Sequence, residues 1–182
     1  QPPTRKVVLI SGATSGIGRE SAVSLARAGY LVFAGYRDLT KGNTLLADAK
    51  LENLPLSIVR LDVSDTETIR EAVETVVSLE GRIDILINNA GFGFAGPLED
   101  LTLDEFRTQF ETNFFGQVAL TQAVIPHMRT QRSGRIIFIS SMAGRISYPL
   151  FSAYCASKHA IEAIGEALRY ELMPFGIQSV LI

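Results

Sequence analysis

Apolar positions along this chain follow two rhythms in alternation. Short, nearly unbroken apolar runs at 7–10, 31–35, 56–61, 83–87, 135–140 and 177–182 have strand length. Continuous apolarity over such a run marks a strand covered on both faces. Between the runs, apolar residues recur at helical spacing, as in Ala22, Val23, Leu25 and Ala26, or Ile69, Ala72, Val73, Val76 and Val77. Helices are predicted up to Gly29, over 40–50, from a Ser64-Asp65-Thr66-Glu67 capping box to Gly81, from Thr102 over 102–127, and over 151–172 up to Pro174 and Gly176.

Strand followed by helix, five times over, with a last strand after it, calls for an α/β fold. The expectation is a Rossmann-type doubly wound parallel sheet with helices on both faces, the chain ending in the sixth strand. Right-handed crossovers bring the carboxyl ends of the strands to one edge. Gly12, Asn89, Ser141 and the start of the helix carrying Tyr154 all fall there.

With 182 residues, 47% of them apolar, the chain fits one domain spanning 1–182. Seventeen basic and nineteen acidic residues give a net charge of −2 without any run of like charges, which argues against nucleic acid and anionic membrane surfaces as partners. No apolar run reaches the roughly 18 residues of a membrane span, and the start at 1–6 has no signal-type apolar segment behind it. Cys155 is the single cysteine, and His127 and His159 stand apart from any ligand pattern, so no disulfide or metal is expected. A reducing, cytoplasmic compartment fits that usage.

Candidate chemistry then attaches to the strand ends. The first strand runs into Gly12, Thr14, Ser15, Gly16, Ile17 and Gly18 before a helix, the layout of a pyrophosphate-binding turn; a plain tight turn is the alternative. The second strand ends in Tyr36-Arg37-Asp38. An acid there would take a ribose 2′-hydroxyl, whereas an arginine accommodates a 2′-phosphate. Arg37 favours NADP(H) over NAD(H), with a solvated arginine beside an N-capping Asp38 as the other reading. Asn88-Asn89-Ala90-Gly91 closes the fourth strand, where such sheets bind ligands, although asparagine is also ordinary turn chemistry. Asn113 and Gly116 are poor helix formers inside a long helix; a local role, or another helix packing against Gly116, would explain them.

Tyr154 and Lys158 lie four residues apart and share a helix face. Lowering a phenol from its usual pKa of about 10 by roughly three units takes about 4 kcal/mol, the order of one nearby ammonium at an effective dielectric of ~20.

Taken jointly, Gly12-x-x-x-Gly16-Ile17-Gly18, Asn88-Asn89-Ala90-Gly91, Asn113, Ser141 and Tyr154-x-x-x-Lys158 resemble, in order and over nearly the whole chain, a short-chain dehydrogenase/reductase of the common cofactor-binding type. The segment 32–39 is similar to NADPH-preferring members, some of which act on steroids or retinoids. Ser141 precedes Tyr154 by thirteen residues, the family's usual interval, which selects it over Ser140. The resemblance implies that Tyr154 exchanges a proton with the substrate oxygen, that Ser141 bonds that oxygen, and that Lys158 tunes the phenol and holds the nicotinamide ribose. It further implies that Asn113 orders a water linked to Lys158, that Asp62, with Val63 beside it, contacts the adenine amino group, and that Asn89, Ala90 and Gly91 line the cofactor. The expected substrate is a small carbonyl or alcohol of apolar type. Homodimers or homotetramers formed through helices 102–127 and 151–172 are expected by resemblance. Family members usually continue past the sixth strand with a substrate-covering segment, which this sequence lacks. That departure keeps a catalytically silent nicotinamide-binding module in view, beside an oxoacyl-thioester reductase.

Overall fold

In the computed structural model, which describes residues 5–182, six parallel strands form one sheet in the order β3-β2-β1-β4-β5-β6. The opening residues 1–4, read above for a leader, lie outside the described residues. The strands are β1 (Val7–Ile10), β2 (Leu31–Tyr36), β3 (Leu56–Arg60), β4 (Ile85–Asn88), β5 (Gly134–Phe138) and β6 (Ile177–Leu181). Between them run α1 (Gly16–Arg27), α2 (Leu39–Leu51), α3 (Thr66–Glu80), α4 (Leu103–Phe110) continuing into α5 (Gly116–Gln131), and α6 (Ser152–Leu172).

Why the strands are apolar throughout is visible in β1. Val7 and Leu9 enter one core with Val73, Leu120 and Ile161, while Val8 and Ile10 enter the other with Ala22, Val32 and Leu45. The sheet is thus covered on both faces, as the unbroken run predicts. Strand order reverses between β1 and β4, which pair in parallel, and the ends of these two strands open the crevice where such sheets take ligands.

Several boundaries differ from the sequence reading. The box at 64–67 does not form: Asp65 is the N-cap of α3 and accepts the Glu67 N–H at 3.0 Å, while the Ser64 hydroxyl donates to Asp62 at 2.6 Å. Asp62 out-competes the helix for that serine because it lies two residues away in a tight turn. β4 begins at Ile85, not 83, because the Gln131 side-chain amide bonds both the N–H and the carbonyl of Ile83. α5 runs through Pro126 to Gln131 instead of ending near 127.

Helices α4 and α5 are joined by a π turn, Glu111–Phe115, centred on Asn113. One extra residue is absorbed there, a local widening that recurs at functional sites. Gly116 follows it, and a Cβ at this position would sit 2.3 Å from the Val63 carbonyl oxygen. Its neighbour is therefore the loop after β3 and not a second helix.

Candidate active site

Asparagine and serine side chains sew the strand ends together at the β1/β4 crevice. The Ser11 hydroxyl accepts the N–H groups of Asn89 and Ala90, both at 3.1 Å, and Asn89 Nδ2 donates to the carbonyls of Ser11 and Gly12, both at 3.0 Å. Gly18 packs directly beneath: a Cβ there would stand 2.4 Å from both Asn89 Nδ2 and the Gly12 oxygen. Above this staple, Ser15 caps α1 from an extended backbone without a side-chain hydrogen bond, and the first turn of α1 holds no acid. The N-terminal amides and the positive helix end are left open to an anion.

From this turn a cleft of about 1210 Å³ extends across the sheet edge. One end is lined by Arg37, Asp38 and Lys41, the middle by Gly12, Thr14, Ser15, Gly16, Ile17, Asp62, Val63, Asn89, Ala90 and Gly91, and the far end by Ile139, Ser140, Tyr154 and Lys158. Asp38 is engaged as the α2 cap, its carboxylate accepting the Thr40 N–H at 2.9 Å and the Lys41 N–H at 3.4 Å. Arg37 and Lys41 thus supply two cations next to a carboxylate already bonded to backbone. Lys41 was missed in the sequence; its position four residues after Arg37 was the available signal.

Tyr154 stands in the first turn of α6 and Lys158 one turn on, its Nζ 5.8 Å from the centre of the Tyr154 ring. Lys158 is almost wholly buried and donates to the Ile139 carbonyl at 2.7 Å. Burial pulls its ammonium down to about 8 from the ordinary 10.5. Most of its charge is nevertheless retained at neutral pH.

Three of the sequence candidates do not line the cleft: Gly18, Asn113 and Ser141. Ser141 caps the short turn Met142–Gly144, its oxygen accepting the Ala143 N–H at 3.1 Å, and its own proton can still be donated. The cleft wall at this strand end is Ser140, whose buried hydroxyl has no hydrogen-bond partner among the described residues. Asn113 lies behind the wall. Its Oδ1 accepts the Phe92 N–H at 3.0 Å, and its Nδ2 donates to the Phe92 carbonyl at 2.8 Å and to Ser157 at 3.1 Å.

A turn with open helix amides, two cations at the adjoining strand end and a buried amine beside a phenol line one cleft, and the family model described as short chain dehydrogenase matches residues 6–182. The chain belongs to the short-chain dehydrogenase/reductase family. It is 42% identical to retinol dehydrogenase 8 of Homo sapiens over 176 residues, 94% of this chain and 56% of the relative. A solved short-chain dehydrogenase from Streptomyces avermitilis superposes with a TM-score of 0.92 at 38% identity, over 98% of this chain and 64% of that one. Gluconate 5-dehydrogenase from Burkholderia cenocepacia, solved in complex with NADP and tartrate, gives 0.91 at 30% identity, over 97% and 69%. The chain spans between 56% and 64% of the length of the curated relatives it matches. Its sheet is of the Rossmann type, and no helix among the described residues is long and apolar enough to cross a membrane.

Proposed function

We propose that this protein is an NADP(H)-dependent oxidoreductase that interconverts a carbonyl and a primary or secondary alcohol on an apolar substrate. The observation that carries the reading is the single cleft with Arg37 and Lys41 at one end and Tyr154 and Lys158 at the other. The cofactor fits the donor set: open amides at α1 for the pyrophosphate and two cations for a 2′-phosphate. NAD(H) is the weaker choice, because Tyr36 stands where an acid would meet the 2′-hydroxyl and Asp38 is bonded to its own helix.

When bound, the nicotinamide supplies or accepts the hydride. The protein's own task is the proton. Reduction of a carbonyl places negative charge on its oxygen, and Tyr154 donates to that oxygen as general acid, the reverse holding for alcohol oxidation. Lys158 favours the phenolate that remains and holds the ribose hydroxyls. Ser141, next in the chain to the wall residue Ser140 and with its proton still free to donate, would give the same oxygen a second hydrogen bond once the substrate is seated, which stabilises charge as it develops. Asn113 fixes the Phe92 backbone beside them, and Asp62 and Val63 receive the adenine end.

An apolar substrate is supported by the stretch between Ser141 and α6, which leaves Met142, Ile146 and Leu150 exposed by 72%, 57% and 54%. Exposed Leu103, Phe115 and Tyr170 on the long helices support self-association, and the single cysteine fits a cytoplasmic location. The test is NADPH consumption at 340 nm against long-chain aldehydes, hydroxysteroid-type ketones, retinal and an oxoacyl thioester. Consumption with a long-chain aldehyde, a steroid-type ketone or retinal, and not with the oxoacyl thioester, supports the proposal. NADPH binding without consumption of any would replace it with a nicotinamide-binding module.

A further inference from the structure

The loop after β4 passes against the ring of Tyr154. Gly93 is the point of contact: a Cβ on it would lie 3.1 Å from Tyr154 Cδ2 and 3.4 Å from Cγ. The loop is held from behind by a row of amides on the α4–α5 helix. Gln109, Asn113 and Gln117 recur every four residues, all three are fully buried, and all three bond loop backbone. Gln117 takes the Ala90 carbonyl at 2.9 Å and Asn113 takes both groups of Phe92. Gln109 Oε1 accepts the Phe94 N–H at 2.8 Å, and its Nε2 donates to the Phe92 carbonyl at 2.6 Å.

Gln109 therefore grips the residues on both sides of Gly93 with one planar amide. It offers one acceptor and one donor at the spacing a neighbouring strand would, so the Phe92 to Phe94 backbone has one height relative to the helix. The Phe92 and Phe94 rings, edge to face at 5.1 Å, stiffen the same loop. The geometry points to Gln109 as a positioning residue that sets the loop against the ring of Tyr154 and so fixes the direction of the phenol. This rests on the proton-transfer role proposed above for Tyr154. The side chain lies behind the cleft wall, and Gln109 does not line the cavity.

Placement errors of about 1 Å at a reacting group can lower turnover by about a hundredfold without touching binding. Gln109→Met keeps the length of the side chain and removes both hydrogen bonds. The expected result is a fall in kcat of about tenfold or more with the NADPH KM kept within about twofold. A merely structural role would be read in thermal stability alone, so the deciding signal is spectroscopic. In protein carrying 3-fluorotyrosine, the ¹⁹F line lost in Tyr154→Phe identifies residue 154; it should move in Gln109→Met while those of Tyr30, Tyr36 and Tyr170 stay. An unmoved Tyr154 line in the folded variant overturns the assignment. Should Gln109→Met fail to fold, Gln109→Asn keeps a buried amide and shortens its reach to the Phe92 and Phe94 backbone by one methylene. There a moved line with lowered kcat supports the assignment, and an unmoved line overturns it. If the wild-type protein consumes no NADPH with any carbonyl, the proposed function fails, and the Tyr154 line still decides for or against Gln109.

Discussion

Lys158 donates its hydrogen bond to the carbonyl of Ile139, 2.7 Å away, and so ties the helix that carries Tyr154 to the end of β5. An ammonium that is only 4% exposed has exchanged water for that one carbonyl and for the face of Tyr154. Its proton is held less tightly than in the unfolded chain.

That difference makes stability depend on pH with a definite sign. Between about 8, where the folded lysine titrates, and its ordinary 10.5, the unfolded chain binds more protons than the folded one. Stability attributable to Lys158 therefore rises with pH across this window, by about 3 kcal/mol in full, and is lost again as pH falls through 8. Without cofactor, the unfolding free energy of wild type minus that of Lys158→Met should climb between pH 7.5 and 10.5. Denaturant titrations giving a flat difference would show that the amine is better solvated than its burial implies.

Tyr154→Phe keeps the ring against Phe151, whose centroid is 6.4 Å away, and against Gly93, but removes the phenolic proton. Turnover should vanish while the NADPH dissociation constant changes by no more than about threefold, because the phenol contributes chiefly after the cofactor is bound. Fluorescence titration gives the second quantity and 340 nm absorbance the first. Turnover that survives in the variant would remove the phenol from the reaction.

How much of this was legible beforehand depended on whether a residue signals through its own type or through a distant partner. The parallel sheet was legible because Val7, Val8, Leu9 and Ile10 must all be covered, and only a sheet with helices on both faces covers them. Tyr154, Lys158 and the glycine turn were legible because short-range spacing dictates their relation. Ser11, Gln109 and Gln131 were not. Each takes its meaning from backbone 48 to 78 residues away or across a loop, and a buried glutamine on a helix looks in sequence like a solvated one. The π turn was half legible, since Asn113 and Gly116 were out of place in a helix, but what they were near could be read only from the fold. Ser64 misled because Asp62 competes for the same hydroxyl.

On the proposed reading, the two cations beyond the end of β2, Arg37 and Lys41, would share the 2′-phosphate. Arg37→Gln should lower the NADPH over NADH preference about tenfold, and adding Lys41→Gln should carry it further, since a charge-assisted bond to phosphate contributes about 1.5 kcal/mol or more. Ratios of kcat/KM for the two cofactors provide the measurement. If the single change leaves the ratio where it was and only the double change moves it, Lys41 is the main phosphate ligand. If neither moves it, the cleft end at β2 does not read the 2′ position.

Gly18 offers the sharpest test of the staple between β1 and β4, because its side chain would meet backbone and an amide that is already bonded twice. A methyl group there would stand 2.4 Å from both the Gly12 oxygen and Asn89 Nδ2, and the oxygen belongs to the turn proposed to hold the pyrophosphate. Two relaxations are open. The turn can lift away from β4, which breaks the Asn89 bonds to Ser11 and Gly12, or Asn89 can swing out, which leaves the Ser11 and Gly12 carbonyls short of a donor. Either way Gly18→Ala should lose about 1–3 kcal/mol of stability, and NADPH binding should weaken by more than stability alone accounts for. Adding Asn89→Ala to Gly18→Ala should then cost less than the sum of the two single changes, since the first has already undone what the second removes. Chemical denaturation of the four proteins in the cycle supplies the numbers, and strict additivity would mean that the two strand ends are held together by something other than this asparagine.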